Sequence, residues 1–196
     1  MRSYMRAMKH AFLILLGFAA ASCERTPVGN HVRSMKSEQW WTYLADYEGF
    51  PGSTVVDLGL KSRAPIPDLP TLLVTGVSYE SSPEHSELPT VDELSFLNKL
   101  SEKGLALIAS KSKSVDAGTF THKNQRLDYI YIADSTGLES MLRDFYKTEC
   151  PDRRPYISLK SDPRWEAYLN FLFPNQQTID FYRAKSEGES ERRRRE

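Results

Sequence analysis

Hydrophobic and polar positions follow two periods along this chain, and the switches between them outline the elements. WWTYLADYE (40–48) and STVVDLGL (53–60) are rich in aromatic and β-branched residues, with Gly49, Pro51 and Gly52 between them. That pattern predicts a hairpin whose loop is longer than a two-residue turn. KSRAPIPDLP (61–70) carries three prolines and reads as a loop. TLLVTGVSYE (71–80) is apolar enough for a central strand.

The period then changes. Thr90 and Glu93 have the spacing of a capping box, and Val91, Leu94, Leu97 and Leu100 recur behind them at helical spacing. Leu105 to Ile108 extend the same face, although Gly104 interrupts it. SVDAGTFT (114–121) and RLDYIYIAD (126–134) flank His122-Lys123-Asn124-Gln125 as a second hairpin. Thr136 and Glu139 form another capping-box pattern ahead of Leu138, Met141, Leu142 and Phe145. RPYISLK (154–160) predicts a last strand. SDPRWEAYLNFLFP (161–174) predicts a helix capped by Ser161 or Asp162, with Pro163 in its first turn and Pro174 as its stop. Trp165, Tyr168, Leu169 and Leu172 share one face of that helix, a spacing that points to core.

Strands, helix, hairpin, helix, strand, helix describe an α+β domain, a mainly antiparallel sheet with helices on one face. A ferredoxin-like arrangement fits the order. The domain is expected over 40–176, and the low-complexity charged stretch 177–196 is expected to be disordered.

The segments WWTYLADYEGFPGSTVVDLGL, ELPTVDEL, AGTFTHKNQRLDYIYIAD and SDPRWEAYLNFLFP resemble, in that order, the bacterial domain-of-unknown-function family DUF-695. The likeness covers about residues 40–174. Its most specific part is the close, where Pro163, Trp165, Tyr168, Leu172 and Pro174 stand in the family's motif and Phe173 replaces a tyrosine. The hairpin turn His122–Gln125 lacks the glycine usual in the family. The resemblance implies the fold and leaves the activity open.

The start of the chain has a different character. Arg2, Arg6, Lys9 and His10 precede AFLILLGFAAAS (11–22), twelve residues without a charge. A helix needs about 20 apolar residues to cross a bilayer, so the pattern predicts a signal peptide over 1–22. Ala20-Ala21-Ser22-Cys23 resembles the lipobox of bacterial lipoproteins, which implies cleavage before Cys23 and acylation of its thiol. More than one acyl chain anchors a protein stably. Glu24, rather than an aspartate, follows the cysteine. By the same resemblance this implies the periplasmic face of the outer membrane. Residues 23–39 then read as the lipidated cysteine and a flexible spacer.

The 40 % apolar and 11 % aromatic content is that of a globular domain. Loss of the leader leaves 23 basic against 26 acidic residues, and 24–182 alone carry −5. Nucleic acid is therefore not an expected partner, since phosphate contacts need clustered Lys and Arg. The expected partners are the membrane, through the lipid, and an envelope protein of unidentified kind. With Cys23 acylated, Cys150 has no intramolecular partner, which leaves a buried thiol or an intermolecular bridge.

Catalytic motifs are absent: there is no Gly-x-Ser-x-Gly, phosphate-binding Gly-rich loop, His-Glu-x-x-His or Cys-x-x-Cys. His31, His85 and His122 fall in the spacer, a loop and a hairpin turn, so no metal or other cofactor is expected. His85 with Glu84 and Glu87 is the one acid–base cluster. Asp116 and Asp128, on opposite hairpin arms, either pair as two carboxylates or occupy surface strand positions. The expected function is a non-catalytic binding or scaffold module at the envelope. A hydrolase using carboxylates and His85 is the alternative.

Overall fold

The computed structural model describes residues 39–80 and 88–195. Cys23, His31 and the Glu84–His85–Glu87 cluster lie outside the described residues. Six strands form one sheet: β1 (Trp40–Tyr47), β2 (Phe50–Asp57), β3 (Thr71–Ser78), β4 (Ser114–His122), β5 (Gln125–Ile132) and β6 (Pro155–Ser161). Their order is β1-β2-β4-β5-β3-β6, and every neighbouring pair is antiparallel. The helices are α1 (Val91–Lys111), α2 (Leu138–Glu149) and α3 (Gln176–Arg195). The unit β3-α1-β4-β5-α2-β6, with its strands ordered β4-β5-β3-β6, is the expected ferredoxin-like arrangement. The β1–β2 hairpin widens the sheet beyond β4.

Both faces of the sheet carry a core. Leu73 and Val77 of β3 join Ile130 and Ile132 of β5 beneath Leu97, Leu100 and Ile108 of α1 and Leu138, Leu142 and Tyr146 of α2. The alternate residues Leu72 and Val74 face the other way, onto Trp165, Tyr168 and Leu172. A strand buried on both faces reads as a continuous apolar run, which is the pattern of TLLVTGV. Thus α1 and α2 share one face as expected, while the closing segment 161–174 covers the opposite face.

Several local expectations change. The β1–β2 connection is a two-residue turn in which Glu48 (φ 56°) and Gly49 (φ 82°) are both left-handed, the geometry that suits strand twist. Pro51 and Gly52 belong to β2. Pro51 lies past the β4 register, which starts at Gly52 against His122, so its missing N–H breaks no bond of that ladder. Thr90 caps α1 by accepting from the Glu93 N–H at 3.3 Å, but the Glu93 carboxylate binds the Arg153 guanidinium instead of closing the box. Helix α1 runs unbroken through Gly104, over which Phe145 of α2 packs. Thr136 does not cap α2. Its N–H and hydroxyl both donate to Asp134 Oδ1, and Gly137 in the left-handed region takes the cap position.

The closing segment is not the α-helix expected. Pro163 and Arg164 form a turn, Trp165 adopts φ 58°, and Ala167–Leu172 wind as one π-helical stretch. Asp162 organises it by accepting the N–H groups of Glu166 (2.8 Å) and Ala167 (3.0 Å). Helix α3 occupies the stretch for which composition predicts disorder. Asn175 caps it through the Thr178 N–H and hydroxyl, and Tyr182 packs edge-on against Trp41 of β1. The folded unit therefore passes residue 176.

Candidate functional site

On the face that α1 and α2 cover, the sheet extends beyond the helices. Trp40, Thr42, Leu44 and Asp46 of β1 point to this side and are exposed, Leu44 to 53 %. Between this open floor and the first turns of α1 lies a groove of about 380 Å³. Thr42, Ser53, Val55, Thr121 and Arg126 form its floor from four strands. Leu88, Pro89, Leu94 and Asn98 form its wall. A cavity of this size lies within the range of specific ligand sites.

Strand register explains the floor. Leu44 of β1 opposes Ser53 of β2, Ser53 opposes Thr121 of β4, and Thr121 opposes Arg126 of β5. One cross-strand row thus runs from an exposed leucine through two hydroxyls to a guanidinium. The adjacent row on the same face is Thr42, Val55, Thr119, Asp128 and Thr75. It is buried from Thr119 inward.

Asp128 is fully engaged. Ser101 of α1 donates to its Oδ2, and Thr119 donates to Oδ1 at 2.9 Å. Burial raises its pKa, while those two donors and the charge of Arg126 pull the other way. Asp116 stands beside it. Although this residue keeps part of its surface in solvent, its carboxyl is pushed up to about 7 by desolvation first and by the charge of Asp128 second. Asp116 Oδ1 also accepts the Gly118 N–H across a bulge in β4. Of the two readings of these aspartates, a surface strand position is excluded for Asp128, which is buried, while Asp116 is half-buried and its carboxyl feels the charge of Asp128.

Arg126 favours the ionised forms of both aspartates but forms a salt bridge with neither. Its Nε–H is buried and has no acceptor among the described residues. The sequence signal for this cluster was present. Arg126 and Asp128 share the parity of Ile130 and Ile132, so both polar residues sit on a core-facing side of β5.

His122 lies on the opposite side of the sheet. Its ring packs with Phe120, Tyr47 and Phe50, and Nδ1 contacts the Pro51 carbonyl at 3.3 Å. It is not brought to Asp116 or Asp128. Trp165 and Tyr168 are wholly buried, as their spacing predicts, and Cys150 is buried as well. Among the described residues no three His, Cys, Asp or Glu side chains are grouped to hold a metal ion. No helix there is long and apolar enough to cross a membrane.

A family model described as "Family of unknown function (DUF695)" matches residues 38–173. The chain belongs to the DUF695 family. No curated protein and no solved structure matches it. The DUF695 match spans all six strands, α1, α2, the closing segment and every residue lining the groove. Helix α3 follows the DUF695 match, so Tyr182 and its contacts with β1 lie beyond it.

Proposed function

We propose that this chain is a lipoprotein anchored in the bacterial envelope through Cys23. Its DUF695 domain acts there as a non-catalytic binding module that receives a partner in the groove beside α1. The observation that carries this reading is Arg126, a cationic side chain that lines an open groove and has no salt-bridge partner among the described residues. A guanidinium without an internal salt bridge is free to form charge-assisted hydrogen bonds with an anionic group of a partner. The carboxylate of Asp128, by contrast, already accepts at both oxygens within the fold. The short apolar leader and the Ala-Ala-Ser-Cys sequence support the anchor.

A second reading, hydrolysis by carboxylates with His85, draws support from Asp116, whose pKa of about 7 suits proton transfer at neutral pH. Asp116 does not line the groove, which favours the binding module.

Co-purification from gently solubilised envelopes tests the proposal. Ser53→Phe fills the groove from its floor. It is expected to melt within a few degrees of the wild type and to lose the partner that co-purifies with it. Retention of the same partner by the filled variant would contradict the groove as its site.

A further inference from the structure

We propose that the groove captures the C-terminal carboxylate of an extended, apolar-ended polypeptide, with Arg126 as the anchor for that carboxylate. This rests on the domain being a binding module and names the class of its ligand.

The row Leu44, Ser53, Thr121, Arg126 carries the assignment. At about 4.8 Å between strands, its four strands span about 14 Å, the reach of a few extended residues. Polarity changes along it in one direction, from an exposed leucine at the open edge to a guanidinium on the fourth strand. Val55, Leu88 and Leu94 flank the row with apolar surface. A ligand that matches this order has an apolar body and an anionic tip.

The chemistry of the tip follows from Arg126. A guanidinium binds a carboxylate through two parallel N–H···O bonds, and such charge-assisted pairs are stronger than neutral ones. A neutral amide supplies one carbonyl acceptor and leaves the charge uncompensated. The protein does not supply the carboxylate itself. Asp128 is held by Ser101 and Thr119, and Asp116 accepts from Gly118.

The open end distinguishes a chain end from a free acid. The groove does not close over its occupant at β1, where Thr42 and Leu44 remain exposed. A polypeptide continues across that surface, whereas a small acid leaves it uncovered.

The test uses the full chain and an array of acetylated pentapeptides ending in Ala, Val, Leu, Ile or Phe, each as free acid and as C-terminal amide. Binding is read by fluorescence anisotropy, with 4-methylpentanoate as a small-acid competitor. Free acids with large apolar ends are expected to bind, their amides at least about tenfold more weakly. Arg126→Met brings the acids down to the level of the amides, and Arg126→Lys falls between. Ser53→Phe abolishes binding with the guanidinium still in place, which covers the case of an unstable Arg126→Met. Equal binding of acids and amides, or binding of no peptide, overturns the assignment. So does 4-methylpentanoate competing as strongly as the peptides themselves, which would give the site to a free acid. If the array fails while Ser53→Phe still strips the envelope partner, the ligand class falls and the binding module stands. If neither experiment shows dependence on the groove, the module reading falls too.

Discussion

The indole of Trp165 lies flat on the phenol ring of Tyr131, with centroids 3.9 Å apart and planes 7° from parallel. Both side chains are wholly buried, and each also makes a polar bond that fixes the pair. Trp165 Nε1–H donates to the Leu69 carbonyl at 3.0 Å, and the Tyr131 hydroxyl donates to Asp162 Oδ2 at 2.7 Å. The contact ties the proline-rich loop, β5 and the closing segment into one core. Trp165→Ala should therefore destabilise the domain by about 3–5 kcal/mol. A denaturant melt checks this. Unchanged stability would show that the closing segment is held elsewhere.

Asp116 makes stability depend on pH. In the fold its carboxyl is pushed up to about 7 from the ordinary aspartate value of 3.8, so the folded state holds its proton more tightly. The stability it contributes is complete below about pH 3.8 and is lost as pH rises through about 7. Asp116→Asn should flatten that decline and keep the oxygen that accepts the Gly118 N–H. At pH 8 the variant should gain on the order of 1–2 kcal/mol, discounted from the full shift because the residue keeps some contact with solvent. Urea melts at pH 5 and pH 8 measure it. Parallel losses in both proteins would place the titrating group elsewhere.

Tyr182 closes part of the β1 edge. Its hydroxyl accepts the Leu44 N–H at 2.7 Å and donates to the Leu44 carbonyl at 3.3 Å. Both outward groups of that residue are thus satisfied by a side chain from α3, a protection against edge pairing. Tyr182→Phe should expose them at a cost of about 0.5–1.5 kcal/mol. Amide hydrogen exchange at Leu44 is expected to accelerate while that of Val56, inside the sheet, stays the same. An unchanged Leu44 rate would mean that α3 does not guard the edge.

Cys23→Ser removes the proposed acylation site. The variant should remain unprocessed or appear in the soluble fraction, while the wild type sediments with membranes. Sedimentation of a correctly cleaved Cys23→Ser protein with membranes would remove the lipid anchor.

β3 and α1 were legible because each carries a strong local pattern: the β3 run TLLVTGV is apolar on both faces, and Leu97 and Leu100, at helical spacing, reach the core, although Val91 and Leu94 of the same periodic set stay exposed. Expectations failed where a side chain had two competing partners. Thr136 had the spacing of a cap, but Asp134, two residues before it, offered a closer acceptor. Helix α3 was missed because its composition is polar, and its first turns are held by the Asn175 cap and the contacts of Tyr182 with β1. The groove was not legible. Leu44, Ser53, Thr121 and Arg126 are far apart in the chain, and only the register of four strands aligns them.

A partner seated in the groove beside α1 is proposed to depend on Arg126. A photo-crosslinking amino acid placed at Asn98, on the groove wall, reports contact there in intact envelopes. The same probe at Tyr156 reports the opposite face, because Tyr156 pairs with Gly76, which has the parity of Leu72 and Val74. Position 98 is predicted to give a discrete adduct that disappears with Arg126→Met or Ser53→Phe, and position 156 to give none. An adduct from position 156 alone, or one from position 98 that survives both substitutions, would contradict the claim.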